Sequence, residues 1–168
     1  DLASELKQMG LADAHMDDHG YVMATIPSNT KKNVPVIAFI AHVDTSPAVS
    51  GANVNPIMHK NYKGGDIKLP NDPNQVIELK NNPDLEKMTG YDIITADGTT
   101  LLGADNKAGV AEIIDAANYL LKHPDVKHGA IKICFTPDEE VGRGTEKIDL
   151  KKLGAQYAYT VDGSSRGE

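Results

Sequence analysis

Cysteine and positive charge are scarce in this sequence, and long apolar runs are missing from it. A single cysteine excludes a disulfide framework within the chain and a thiolate zinc finger. Cys134 lies in the apolar run 131–135, which favours a buried, inert thiol over a nucleophile. The chemistry of any functional site therefore has to come from other side chains.

The charge balance and the hydropathy pattern exclude several classes of partner. No stretch approaches the roughly 18 apolar residues of a membrane-spanning helix, and no signal peptide opens the sequence. The 17 Lys and Arg residues are outnumbered by 24 Asp and Glu residues, which gives a formal net charge of −7. This balance argues against nucleic acid or an anionic membrane as a partner. We therefore expect a cytoplasmic protein.

Short apolar runs alternate with amphipathic segments, which predicts an α/β fold. Residues 34–41 form a continuous, β-branched apolar run, typical of a strand buried on both faces of a helix-covered sheet. Residues 129–135 and 156–161 resemble further strands. Between the first and second of these strands, apolar residues recur at helical spacing from Val110 to Leu121. We predict a mostly parallel or mixed sheet flanked by helices, with additional helices at residues 1–9 and 147–153.

Two other parts of the chain are predicted to be β-rich. Residues 11–16 and 21–26 flank a turn that ends in Gly20, which favours a hairpin. Residues from 46 to about 100 contain turn clusters and short extended pieces, and we interpret them as a β-rich excursion from the sheet. At its end, residues 93–95 and 101–102 resemble a hairpin that leads to Asp105.

Potential metal ligands recur where the predicted strands end or where the central helix begins. They are His42, Asp44, Asp105, Glu139, Glu140 and Asp162. In open α/β sheets, ligands bind outside the carboxyl ends of the strands. Imidazole and carboxylate suit zinc or a related divalent metal, and the number of acids exceeds what one ion needs. Two ions bridged by one carboxylate, with a spare carboxylate as base, would use this set.

Each of these residues also has a simpler interpretation. Asp105 stands where a helix N-cap is expected, and Asp is a favoured capping residue. The acids at 138–140 would be unremarkable in a solvated loop, and His15, His19 and His59 fit best on the surface. The alternative class is thus a soluble α/β domain with surface acids, which would retain no stoichiometric metal.

Six segments of the sequence carry a resemblance to a known family. They are residues 42–47, 50–56, 61–66, 101–111, 137–142 and 160–163. On these segments the chain resembles the M20 family of zinc metallopeptidases. The segments 50–56 and 61–66 favour the aminotripeptidases of that family, which release the N-terminal residue of tripeptides. An M20 amide deacylase or dipeptidase would share every metal residue and stays an alternative.

The resemblance implies a role for each candidate residue. His42 and Asp162 would bind one zinc ion, Asp105 would bridge two ions, and Glu140 would bind the second. The peptide bond between Asp105 and Asn106 is expected to be cis.

The resemblance implies that two further residues would assist the reaction without binding a metal ion. Glu139 would be the general base that takes a proton from the attacking water. Asp44 would orient His42.

The resemblance also implies parts that this sequence does not contain. In the family, the second zinc takes a further histidine near the C-terminus, and a lid domain helps to bind substrate and to dimerise. We therefore expect residues 1–168 to be the N-terminal part of a catalytic domain that ends before the lid. Of two zinc ions in each full-length subunit, this chain should hold one at most, with little activity by itself. The full-length protein is expected to be a homodimer acting on small peptides.

Overall fold

The computed structural model describes residues 1–163. Within this range it contains nine strands: β1 (His15–Met16), β2 (Val22–Ile26), β3 (Ile37–His42), β4 (Pro56–His59), β5 (Ile67–Lys68), β6 (Val76–Ile77), β7 (Ile93–Ala96), β8 (Ile131–Thr136) and β9 (Tyr157–Thr160). The three α-helices are α1 (Leu2–Gln8), α2 (Ala104–Lys122) and α3 (Leu150–Leu153). The described residues divide into two compact units, residues 1–45 with 104–163 and residues 46–103.

The first unit is built on a five-stranded mixed sheet in the order β1-β2-β8-β3-β9. Strand β8 runs antiparallel to β2 and parallel to β3, and β9 is parallel to β3. Strands β3, β8 and β9 therefore deliver their carboxyl ends to the same edge of the sheet. Helices pack on this sheet, which confirms the predicted α/β class.

Alternation along the strands gives the sheet two apolar faces, because successive side chains of a strand point to opposite sides. Ile133 and Phe135 of β8 face a core that also contains Leu6 of α1 and Ile113 of α2. Cys134, between them in sequence, belongs to the opposite core with residues of α3 and β2. Burial raises the pKa of the Cys134 thiol to about 12, so the thiol stays protonated. None of the described helices combines the length and the apolar character that a membrane crossing requires.

Several elements differ in extent from the sequence prediction. Strand β1 covers two residues instead of the predicted 11–16, because the residues before it form turns. The amide of Leu11 donates to the carbonyl of Leu6, and the amide of Ala14 donates to the carbonyl of Leu11. Helix α3 begins three residues later than predicted. The Asp149 carboxylate accepts hydrogen bonds from the amides of Lys151 and Lys152 there and caps the helix.

The second unit, residues 46–103, contains two small antiparallel sheets, β4-β7 and β5-β6. The predicted hairpin between residues 93–95 and 101–102 is wrong, because β7 pairs with β4 and residues 101–102 lie outside the strands. Instead of a hairpin, a local turn follows β7, in which the Asp97 carboxylate accepts hydrogen bonds from the amide and the hydroxyl of Thr99. Leu101 then donates its amide to the carbonyl of Ser50.

Candidate metal centre

The sheet edge formed by the ends of β3, β8 and β9 carries most of the candidate ligands. His42 is the last residue of β3, and Asp162 follows β9 by two residues. Glu139 and Glu140 begin a short 3₁₀ helix, Glu139–Val141, three residues after β8 ends. The parallel order of these strands therefore brings together side chains that are about 100 residues apart in the sequence.

Three of the predicted residues converge on one point. Ligand atoms of His42, Asp105 and Asp162 all lie within 4.8 Å of one another. The His42 Nε2 atom is 2.8 Å from Asp105 Oδ1 and 3.5 Å from Asp162 Oδ2. Imidazole nitrogen and carboxylate oxygen are both zinc ligands, and catalytic zinc sites commonly have three protein ligands and one open position.

The spacing of these atoms is compatible with a small divalent cation. Two ligand atoms of a tetrahedral zinc ion, each about 2.05 Å from the metal, are about 3.3 Å apart. The distance from His42 to Asp162 fits this value. Asp105 would have to withdraw by about half an ångström, which its 67% exposed side chain permits.

His42 is the buried member of the cluster and has 3% of its surface exposed. Burial by itself lowers the pKa of the imidazole, but the hydrogen bond with Asp105, the carbonyl of Asp44 and the charges of both carboxylates outweigh it. The pKa is therefore raised above its usual 6.5. The same carboxylates would stabilise a metal cation bound to the neutral imidazole, because metal binding displaces the proton.

Asp44 touches both the histidine and the acidic residues after β8. The Nδ1 atom of His42 lies 3.0 Å from the carbonyl oxygen of Asp44 and 3.4 Å from its carboxylate. The two carboxylate oxygens accept hydrogen bonds from the amides of Glu139, at 3.1 Å, and Glu140, at 2.9 Å. Asp44 thus couples the end of β3 to the turn after β8, a contact that the sequence pattern does not reveal.

The two glutamates differ in their relation to the cluster. Glu139 Oε2 lies 3.8 Å from His42 Nε2, and the Glu139 side chain is 54% exposed. Glu140 is not among the residues whose ligand atoms converge in the described part of the chain. Its predicted role at a second metal stays a prediction.

The interpretation of Asp105 as the helix N-cap is wrong. Asp105 and Asn106 both have non-helical backbone angles at the start of α2, and the peptide bond between them is cis. The amide of Gly109 donates to the side-chain oxygen of Asn106 at 3.0 Å. Asn106 therefore caps the helix, and the Asp105 carboxylate is directed at His42 instead.

Asn106 borders the cluster and is a residue that sequence reasoning did not single out. Its side chain is buried, and its Nδ2 donates to the carbonyl of Val161 at 2.8 Å. This bond links the residue after Asp105 to the residue before Asp162. An Asn three residues before a helical glycine is a capping signal, but nothing local in the sequence indicates the second bond.

Gly109 permits the close approach of α2 to the chain after β9. A Cβ atom at this position would lie 2.2 Å from the carbonyl oxygen of Val161 and 2.5 Å from Asn106 Oδ1. No side chain can be accommodated at that distance unless the backbone moves.

The remaining histidines have other contacts. His59 Nε2 lies 2.9 Å from the hydroxyl of Thr95, and His123 stacks on Tyr119 with a ring separation of 4.0 Å. His128 Nδ1 lies 2.8 Å from the carbonyl of Gly129. Within residues 1–163, none of them belongs to the converging cluster.

The sequence is similar over almost its whole length to curated bacterial proteins named peptidase T. Over 167 residues, 99% of this chain, it is 56% identical to peptidase T of Geobacillus kaustophilus and 58% identical to that of Clostridium acetobutylicum. The chain spans 41% of the length of each of these relatives. No family model matches the sequence.

The fold is also similar to solved structures of proteins described as peptidases. The chain superposes on aminopeptidase PepT of Bacillus cereus with a TM-score of 0.68 and 28% identity, covering 98% of this chain and 37% of that one. A tripeptidase of Staphylococcus aureus gives a TM-score of 0.68, 25% identity and the same coverage. The resemblance to the M20 family and to its peptidase T members is confirmed for the length of sequence that this chain covers.

Proposed function

We propose that this chain, which resembles the peptidase T members of the M20 family over almost its whole length, is part of a metal-dependent aminopeptidase that releases the N-terminal residue of tripeptides. The convergence of His42, Asp105 and Asp162 at one sheet edge is the observation that carries the proposal. The substrate class is supported by relatives named peptidase T and by a structural neighbour described as a tripeptidase.

Zinc is the metal that we propose, because imidazole nitrogen with carboxylate oxygen suits it well. His42 and Asp162 would help to hold one ion, Glu140 would help to hold a second, and Asp105 would serve as a ligand of both. When bound, zinc lowers the pKa of water and polarises a carbonyl oxygen.

The protein groups around the cluster would supply the remaining chemistry. Glu139, whose carboxylate borders the cluster, would accept the proton of the attacking water and return it to the leaving amine. Asp44 would keep the imidazole of His42 oriented through its carbonyl oxygen while its carboxylate holds the amides of Glu139 and Glu140.

Metal analysis of the full-length protein and its Asp105→Ala variant tests this proposal. We expect the dialysed wild-type protein to retain stoichiometric zinc and to hydrolyse tripeptides faster than dipeptides or N-acyl amino acids. Asp105→Ala should lose zinc and activity together, because Asp105 would contact both ions. Equal zinc contents in the two proteins would refute the metal centre, and preferential cleavage of N-acyl amino acids would instead indicate a deacylase.

The 168-residue chain by itself should hydrolyse tripeptides poorly. By the family resemblance, the second metal needs a histidine that lies outside this sequence, and substrate binding needs the lid domain. Zinc titration of the purified chain should therefore saturate at one ion or less. Tripeptide hydrolysis at the rate of the full-length protein would contradict this expectation.

A further inference from the structure

Residues 137–147, here called the acidic loop, carry the proposed general base and leave the sheet after β8. The loop contains the 3₁₀ helix Glu139–Val141, which is flanked by Asp138 and Gly142, both in the left-handed backbone region. Within it, Gly142 donates its amide to the carbonyl of Glu139 at 2.7 Å, and Arg143 donates to the carbonyl of Asp138 at 2.9 Å. These bonds give the loop its shape, but they do not fix its position on the sheet.

Tyr21, the residue immediately before β2, contacts the C-terminal part of the acidic loop. The phenol of Tyr21 donates to the carbonyl of Gly144 at 3.0 Å and accepts a hydrogen bond from the amide of Lys147 at 3.2 Å. At the other end of the loop, a Cβ atom at position 20 would lie 3.7 Å from the ring of Pro137, which is an ordinary van der Waals distance.

Tyr21 is itself firmly held. Only 2% of its surface is exposed, and its ring belongs to the core beneath α3 with Met23, Ala38 and Cys134. Its own amide donates to the carboxylate of Asp17 at 3.0 Å. A buried aromatic ring with a fixed backbone presents its hydroxyl group at a defined point, so the hydroxyl is a rigid anchor.

The anchored part of the loop packs directly on Glu139. A Cβ atom at Gly144 would lie 3.2 Å from the Cα of Glu139, 3.4 Å from its Cβ and 3.5 Å from its amide nitrogen. Gly144 is thus in close contact with the backbone of the proposed base while its carbonyl is bonded to Tyr21. The amide of Glu139 also donates a hydrogen bond to the Asp44 carboxylate.

From this arrangement we propose that Tyr21 is a positioning residue for Glu139 and acts through Gly144. The proposal rests on the proposed function, because it concerns the group that would accept the proton of the attacking water. The hydrogen bonds of Tyr21 go to Asp17, Gly144 and Lys147 and not to the converging ligand atoms. Loss of its hydroxyl should displace the base but leave metal binding and substrate binding intact.

The test compares two variants of the full-length enzyme, loaded with zinc, with the wild type. Tyr21→Phe removes only the hydroxyl, and Gly144→Ala inserts a methyl group against Glu139. We expect kcat to fall about tenfold in each variant, since small displacements of a catalytic group cost one to two orders of magnitude. The KM for the tripeptide and the bound zinc should stay at wild-type values.

A matched control removes a similar hydroxyl elsewhere. Tyr62 is also buried, and its phenol donates to the carbonyl of Gly65, in the unit that contains none of the candidate site residues. Tyr62→Phe should therefore lower the thermal midpoint without the loss of kcat expected for Tyr21→Phe. If both tyrosine variants lose kcat equally, the effect is general destabilisation and the proposal is overturned.

Other results of these measurements would overturn the positioning role of Tyr21 or refute the proposed function. A Tyr21→Phe enzyme with wild-type kcat overturns the positioning role, and so does a loss of activity that merely follows a loss of zinc. If Tyr21→Phe fails to fold, Gly144→Ala takes its place and an unchanged kcat there overturns the role. A wild-type enzyme without zinc-dependent tripeptide hydrolysis would refute the proposed function itself, whereas an active wild type with unimpaired variants refutes the positioning alone.

Discussion

Two buried side chains, those of His42 and Asn106, anchor a centre whose carboxylates are largely exposed. Each has 3% of its surface exposed, whereas the side chains of Asp105 and Asp162 are 67% and 40% exposed. Exposed carboxylates have few contacts of their own, so their positions depend on the backbone that carries them. The hydrogen bond from Asn106 to Val161 holds the backbone on the two sides of the cluster. Outer-shell bonds of this kind are often worth 10- to 100-fold in metal affinity.

Asn106→Ala should therefore weaken zinc binding and lower stability. The variant loses the helix cap to Gly109, worth about 1 kcal/mol, and leaves the carbonyl of Val161 without its partner. We expect zinc affinity to fall at least about tenfold, measured by calorimetric titration beside urea denaturation. Asn118→Ala, on the same helix, is the control. Unchanged zinc affinity in Asn106→Ala would show that the backbone link does not set the ligand positions.

At the scale of elements, α2 and the end of β9 meet where Gly109 faces Val161. Alanine normally stabilises a helix interior by about 1 kcal/mol relative to glycine. That preference is reversed here, because the added methyl group would lie 2.2 Å from the Val161 carbonyl oxygen. Relieving such an overlap requires α2 or the chain after β9 to shift, which would separate Asp105 from Asp162.

Gly109→Ala should destabilise the protein by about 1–3 kcal/mol, the usual range for overpacking, and should weaken zinc binding at the same time. Thermal denaturation and zinc titration measure the two effects. Gly163→Ala provides the control, because a Cβ atom at Gly163 meets no atom of the other residues in the described range 1–163 within 4 Å. A Gly109→Ala protein that is more stable than the wild type would mean that helix propensity outweighs the contact.

At the scale of the whole molecule, the two units depend on different polar centres. In residues 46–103 the centre is Asp97, which is 4% exposed. Its carboxylate accepts hydrogen bonds from the hydroxyl of Thr99 at 2.6 Å, the amide of Thr99 at 2.9 Å, Asn71 at 2.8 Å and Asn55 at 3.2 Å. The hydrogen bonds of Thr99, followed by those of the asparagines, outweigh desolvation and lower the pKa of Asp97 to about 2.

Stability should consequently fall in acid. Because the folded-state pKa of about 2 lies below the ordinary 3.8, Asp97 stabilises the fold above pH 3.8 and ceases to do so as the pH falls through 2. Urea midpoints followed by circular dichroism should decrease between pH 4 and pH 2. Asp97→Asn should be less stable at pH 7 and should show a shallower decrease. The exposed Asp84→Asn variant should follow the wild type; an Asp97→Asn curve parallel to the wild type would contradict the assignment.

The predictable part of the fold came from patterns within short windows of sequence. The apolar run 34–41 and the spacing from Val110 to Leu121 indicated β3 and α2, and the sheet class followed from their alternation. The prediction of a hairpin before Asp105 was wrong. Asp97 forms a turn with Thr99, and β7 pairs with β4, a strand more than thirty residues earlier. Local periodicity contains no information on such a partner.

The sequence by itself determined which residue types stand at the ends of the strands, and its motifs indicated the family. His42, Asp105 and Asp162 could be named before any coordinate was known, because their chemistry and their place after strands or before a helix are local properties. Only the tertiary structure decided what holds them. The bonds from Asn106 to Val161 and from Tyr21 to Gly144 join residues 55 and 123 positions apart. Contacts at such separations depend on how the sheet is assembled, which no short stretch of sequence specifies.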